Sequence, residues 1–467
     1  MKRTPSQAGA PLPPDQDGRR FAGARGGRSA RFRFRLGFAP RRFPGPRGGR
    51  RPLAAPARRW GLVLLLLPAF LAFLQTCGAA FEWLGEEESI AELLPNTYPG
   101  TASTLDLGQR PWAVLPQVGY GPETGILGGI KLTHRDIAGR GIAGDLQAAY
   151  ALEKQQAYAA SLASPSLVDD RLLLVMRMRY GFDPGRRFFG IGNNNLADGP
   201  PSTFAYEEIG GAVTVGWKPF RRLAFNVGLG VREVHTWCGQ GTAGLPCALQ
   251  TFPDLPGATG GMVNYLNFSI VWSNRDSVIR PTRGWRLIFK IIHTNKAILS
   301  EYTFTRIAGD AGYLRSLFHG RLVFGVRTNV EWILGPETEI PFWELAELGG
   351  STTLRGFFPH RFLGKGRVLI NGECRFLVTE FDFFKLWRIR IDAVVFGDGG
   401  RVFISPDEVE NEFLLKGNFI KGLIDGLRYS YGAGLRFALS ESLLARVDVG
   451  FSDEETGLVY LAFGHTF

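Results

Sequence analysis

From Trp112 onward the chain repeats one unit, a run of roughly ten residues ended by Gly, Pro, Asp or Asn. The runs are Trp112–Tyr120, Gly144–Leu152, Leu172–Tyr180, Ala212–Trp217, Leu223–Val231, Val263–Trp272 and Trp285–His293. They continue with Leu322–Trp332, Val368–Thr379, Ile389–Phe396, Arg428–Phe437, Leu443–Gly450 and Leu458–Phe467. Several alternate strictly. Val447, Val449 and Phe451 share one face of a strand, and Arg446 and Asp448 share the other. Ile389 and Ile391 likewise oppose Arg388, Arg390 and Asp392. Such a strand needs an apolar medium on one side and a polar one on the other. In a soluble sandwich the charges would face out. In a membrane barrel they face the lumen, and the apolar face meets lipid.

What lies upstream favours the barrel. Residues 60–74, WGLVLLLLPAFLAFL, follow Arg58-Arg59 and precede the small residues up to Ala80. A basic flank, a short apolar core and small residues describe a secretory signal peptide over 58–80. The core is shorter than the roughly 20 residues a membrane helix needs, and it contains Pro68. Residues 1–57 read as a basic, Pro/Gly/Arg-rich extension, and 81–110 as a short periplasmic segment. An Arg-rich organellar transit peptide is the alternative, but the apolar core points to export across a bacterial inner membrane. The rest, 111–467, reads as an antiparallel transmembrane β-barrel. At roughly 22 residues per strand and connection it would hold about 16 strands, an even number as bacterial barrels have.

Charge agrees with this division. The net charge of +11 suggests a nucleic-acid binder, yet residues 1–60 hold 16 Lys and Arg against Asp15 and Asp17. The remaining chain carries −3. The folded part therefore lacks the basic surface that nucleic-acid binding requires. Cys238 and Cys247 fall in one connection, nine apart, as a loop-closing disulfide or as two free thiols. No Cys or His spacing suggests a metal. The six histidines make no Ser/His/Asp order, and no glycine-rich stretch is followed by a helix. The chain is expected to be no enzyme and to use no cofactor.

One polar connection stands out. Gly335–Lys365 is long enough to enter a wide lumen, and it contains Gly349-Gly350-Ser351-Thr352-Thr353-Leu354-Arg355-Gly356-Phe357. An arginine set between Leu354 and Gly356-Phe357 needs an acidic partner if it is buried. Phe396-Gly397-Asp398-Gly399-Gly400 supplies one. The pair suggests a loop tucked into the barrel, with Arg355 pinned to Asp398 and Glu373 lining the same wall.

With these residues the chain resembles the bacterial surface antigen family of outer-membrane barrels, relatives of the BamA and TamA assembly factors. The resemblance covers 111–467. It matches Leu354-Arg355-Gly356-Phe357 to the family's luminal-loop motif after the eleventh strand. It matches Phe396, Asp398 and Gly400 to the Phe-x-Asp-x-Gly motif on strand thirteen. Arg275-Asp276 with Pro281-Thr282-Arg283-Gly284 resembles the turn between strands eight and nine. The aromatic end, with Phe463, His465 and Phe467, resembles the signal read by the insertion machinery, although Ala462 stands where glycine is usual. The resemblance implies a bacterial outer-membrane location. It also implies a seam between first and last strands that opens while polypeptides are inserted or translocated. Implied partners are outer-membrane lipid, unfolded barrel clients or a periplasmic partner protein. The family's assembly factors carry periplasmic POTRA modules, and residues 81–110 are too short for one. A barrel-only channel or structural pore without clients is therefore the alternative.

Overall fold

The computed structural model describes residues 112–467 except 165–166, 169–170, 194–200, 240–243, 278–279, 384–386, 405–425, 440–442 and 464–467. The extension, the signal peptide and the segment 81–110 lie outside the described residues, as do His465 and Phe467. The strands begin with β1 (Trp112–Gly121), β2 (Gly125–Ile137), β3 (Ile142–Ala151), β4 (Gln156–Ala163), β5 (Leu172–Phe188) and β6 (Ser202–Phe220). They continue with β7 (Leu223–Trp237), β8 (Gly261–Ser273), β9 (Gly284–Thr294), β10 (Phe304–Leu317), β11 (Leu322–Leu334), β12 (Ala346–Leu348) and β13 (Phe362–Gly364). The last are β14 (Gly366–Phe383), β15 (Trp387–Phe403), β16 (Arg428–Leu439), β17 (Leu443–Phe451) and β18 (Leu458–Phe463).

Sixteen of these form a closed antiparallel barrel in which each strand pairs with its neighbour in sequence and β1 meets β18. Closure leaves no unpaired sheet edge to face hydrocarbon. β12 and β13 stand apart as a two-stranded ribbon within the connection between β11 and β14. The alternation becomes two surfaces. Val114, Val118, Ile130, Leu229, Phe289, Val326, Ile370 and Val395 point outward and are exposed. Glu208, Asn226, Glu331, Glu373, Asp398, Arg436 and Asp448 point inward and are buried. Trp112, Trp217, Trp285 and Phe324 lie on the outside near one end. Tyr120, Tyr150, Tyr158, Trp237 and Tyr429 lie near the other. Two aromatic girdles flanking an apolar band match the two interfaces of a bilayer.

Several strands run longer than the alternation predicts, β5, β6, β7 and β15 among them. β6 starts at Ser202 rather than Ala212, because Glu207-Glu208 and Gly210-Gly211 read as a break. In the barrel Glu208 is a wall residue, 2.6 Å from Arg179 on β5. β15 continues through Phe396-Gly397-Asp398-Gly399-Gly400 to Phe403. Those glycines stay in register with β16, from Gly397 opposite Tyr431 to Gly400 opposite Arg428. The shorter strands at 126–135, 156–163 and 302–317, weakly marked in sequence, are all present as β2, β4 and β10.

Candidate functional site: a luminal loop and a barrel seam

The connection from Gly335 to Lys365 turns back into the barrel. Its Arg355 is fully buried. The guanidinium takes Asp398 on β15 in a two-pronged grip, Nη2 to Oδ1 at 2.6 Å and Nε to Oδ2 at 2.9 Å. Its Nη1 reaches Glu373 on β14 at 2.7 Å. The Arg355 backbone N–H donates to the same Asp398 carboxylate at 3.2 Å, and the guanidinium carbon lies 3.6 Å from the centre of the Phe396 ring. Burial alone would lower the Arg355 pKa, but its hydrogen bonds to Asp398 and the nearby Glu373 charge hold it above its ordinary value.

Around the pair the wall completes the hydrogen bonding. Asp398 also accepts from Asn371 at 2.8 Å, and Asn371 donates to the Thr353 carbonyl at 2.7 Å. Glu373 accepts from Arg375 at 2.9 Å and from Arg436 at 2.6 Å, and Arg436 continues to Asp448 at 2.6 Å. Arg375 also donates to the Pro281 carbonyl, so the network touches the turn between β8 and β9. Charges so deeply buried are tolerated only when paired with opposite charges.

The apolar residues of the motif form a small core with the wall. Leu348, Leu354, Phe357, Phe362, Leu369 and Val402 cluster, and the Phe357 and Phe362 rings meet edge to face at 5.1 Å. Gly400 makes room for Leu348, since a Cβ there would lie 2.9 Å from its methyl carbon. Gly349 and Gly350 hold φ of +120° and +87°, and the Gly350 N–H closes the loop onto the Phe357 carbonyl at 2.9 Å. Gly356 and Gly450 let two backbones touch. A Cβ on Gly356 would stand 2.3 Å from the Phe451 carbonyl oxygen, and one on Gly450 would stand 2.1 Å from that of Arg355.

Further anchors carry no local sequence signal. Arg361 is fully buried and grips Glu454, in the turn between β17 and β18, at 2.6 and 2.9 Å. Glu344 pairs with Arg232 on β7 and, at 2.8 Å, with Arg306 on β10. Glu347 pairs with His360 and lies 3.7 Å from Arg186 on β5. Burial raises the Glu347 pKa, but the charges of His360, Arg186 and Arg367 outweigh it and hold the carboxyl down to about 2. Cys238 and Cys247 form a disulfide with an S–S distance of 2.01 Å. The connection it closes, between β7 and β8, lays Leu249, Phe252 and Leu255 against Phe188 and Phe342 over the luminal loop.

The seam joins β1 to β18, and among the described residues it holds the registered pair Tyr120 with Leu461. The register of β1 fixes which of its residues face the seam. Residues of an antiparallel strand point their N–H and C=O to alternate sides. Ile126 accepts from Leu152 and so faces β3, which leaves the odd-numbered residues of β2 facing β1. Through the register of β1 with β2, Val114, Pro116, Val118 and Tyr120 then face β18. Pro116 has no N–H, so the seam edge of β1 lacks a donor at its middle.

A closed sixteen-stranded barrel with an apolar outer band and a loop pinned inside by Arg355 is an outer-membrane β-barrel with a folded-in plug. The description of the Omp85 superfamily domain matches residues 136–467, and the chain belongs to that superfamily. Among solved structures, BamA from Haemophilus ducreyi lacking POTRA domains 1–3 matches with a TM-score of 0.55 at 14% identity, over 76% of this chain and 70% of that one. CdiB from Escherichia coli matches with a TM-score of 0.53 at 12% identity, over 77% of this chain and 64% of that one. These likenesses are of fold. No curated protein matches the sequence. The protein is thus a bacterial outer-membrane barrel. Its short turns define the periplasmic end and its long connections, the luminal loop included, the outer end.

Proposed function

We propose that this protein assists the insertion or translocation of polypeptides at the outer membrane, with the seam between β1 and β18 as the working edge. The observation that carries this reading is the seam edge of β1, whose row of backbone donors is interrupted at Pro116. A strand edge short of a donor is available to another strand, the β-augmentation mode of recognition. The luminal loop fits the same role. Held by Arg355 and Arg361 to the flank formed by β14–β18, it braces that side of the barrel while the seam parts. Membership in a superfamily that includes assembly and secretion barrels agrees with the reading.

The test is reconstitution of the purified barrel in liposomes with an unfolded outer-membrane client. Faster client folding than in empty liposomes, abolished by a disulfide engineered across the seam, is the expected result. Unchanged client folding together with steady ion conductance would replace this function with that of a channel.

A further inference from the structure

The short turn between β6 and β7, Arg221-Arg222, sets two exposed arginines at the periplasmic rim. The end of β6 gathers more cations around them. Its ladder with β7 slips between Trp217 and Phe220, and the Lys218 N–H donates instead to the Arg171 carbonyl at 2.7 Å. That bond brings in a third exposed arginine, from the connection between β4 and β5. On the other side the Ser273 N–H of β8 donates to the Arg222 carbonyl at 2.9 Å, which ties the turn down. Lys218 is buried, and its ammonium has no hydrogen-bond partner among the described residues. Among those residues Arg171, Arg221 and Arg222 form no ion pair either. A charge taken out of water without a counter-charge is costly. The corner is thus left short of an anion.

Beside the cations the barrel is aromatic on its outside. Trp217 stacks on Phe225 with 5.7 Å between ring centres, and Phe220, 68% exposed, directly precedes Arg221. Rings at this level mark the boundary between headgroups and acyl chains. The outer end of the barrel has the opposite sign, with Glu153, Glu301, Glu337, Glu339, Asp453 and Glu455 in its connections.

We propose that Arg171, Arg221 and Arg222 form a site for the phosphate of an anionic phospholipid in the periplasmic leaflet. Planar guanidinium groups grip phosphate oxygens two at a time. The buried Lys218 adds positive potential behind them, and Trp217 and Phe220 lie along the glycerol and the upper acyl chains. Exposed rings and unpaired cations on one rim suit a lipid better than free phosphate. A lipid bound there fixes the depth of the wall from β5 to β8, whether or not the protein handles clients.

Thermal unfolding and native mass spectrometry of the full-length protein in a neutral detergent test the site. Added phosphatidylglycerol should raise the unfolding temperature and stay bound, whereas phosphatidylcholine with the same chains and inorganic phosphate should do neither. Arg221→Gln combined with Arg222→Gln should lose most of that shift and most of the bound lipid. Arg140→Gln combined with Arg321→Gln, which removes two exposed arginines from other periplasmic turns, should keep both. If the first variant unfolds earlier even in phosphatidylcholine, the mass spectrum still decides, because it counts lipid on the folded barrel. Equal losses in the two variants would mean a diffuse effect of charge and overturn the site. A shift with inorganic phosphate would overturn the lipid in favour of a free anion, and no response to phosphatidylglycerol would overturn both.

Discussion

On the β14–β18 flank of the seam the lumen face carries Glu373, Arg375, Asp398, Arg436, Arg446 and Asp448, all buried. On the β1–β4 flank it carries Leu127, Ala149, Ala151 and Ala157, a cluster of small apolar side chains. The ion pair there, Lys131 with Asp145, spans 3.8 Å and is 30% and 33% exposed. The first flank is cross-linked through charges that must keep their partners. The second is held by backbone ladders and small contacts that tolerate sliding. If the barrel opens at the seam as proposed, the soft flank is the side expected to move, with the luminal loop staying on the stiff one.

The comparison breaks most severely at its stiffest point. Asp398→Ala leaves Arg355 buried beside Glu373 alone, which should cost about 3–5 kcal/mol and open the luminal loop to protease. Arg355→Ala should do the same, and the double variant should fall well short of the sum, as coupled partners do. Simple addition, read from thermal unfolding, would show that the pair is not a unit.

Acidity probes the soft side. Burial is the main force raising the Glu123 carboxyl to about 7, with Asp183 adding to it and His360, Arg187 and Arg186 opposing. The folded barrel therefore favours the protonated form. Its contribution is complete below the ordinary carboxylate pKa and is lost as pH rises through about 7, a change of up to about 3 kcal/mol. Protection of the turn between β1 and β2 from hydrogen exchange, taken relative to the intrinsic rate at each pH, should fall between pH 5 and 8, and Glu123→Gln should flatten that profile. Glu347 behaves oppositely: its contribution is present above about 4.5 and fades only as pH falls towards 2.

Glu454→Gln weakens the two-pronged grip on Arg361 while keeping the shape. A loss of roughly 1.5–3 kcal/mol is expected, seen as a lower unfolding temperature with the barrel still closed. The smallest effect should come from Pro116→Val, which restores a donor to the seam edge. One added hydrogen bond is worth about 0.5–1.5 kcal/mol, and it should narrow the inner end of the seam and slow any client reaction. Faster client folding with this variant would argue that the edge is not the working surface.

The barrel was legible because alternation is local: Val447, Asp448 and Val449 show their faces without reference to any partner. The Arg355–Asp398 contact was legible for a related reason. A cation enclosed by Leu354, Gly356 and Phe357 announces burial, and an aspartate among glycines announces a wall with room beside it. Arg361 gave no such sign. It is flanked by His360 and Phe362, its partner is 93 positions away, and Glu454 sits in an acidic turn that reads as solvated. Arg187 and Glu123 were hidden likewise, each ordinary in its own strand end. The start of β6 was missed because Glu207, on the outer face beside the luminal Glu208, breaks the alternation that a lipid-facing strand would keep. The aromatic C-terminal signal is described only as far as Phe463, in β18.

The acceptors of Arg355 come after it in the chain: Glu373 is 18 positions later and Asp398 is 43. Glu454, which receives Arg361, is 93 positions later. During vectorial synthesis and export, Arg355 and Arg361 therefore emerge before the carboxylates that receive them. The early hairpins can form on local contacts while the loop waits, and docking is postponed until the last strands arrive. A chain that stops short of Asp398 would leave Arg355 with Glu373 alone, and it could not complete the barrel around its own loop. The full grip on the motif is thus available only to a molecule that has reached its final strands.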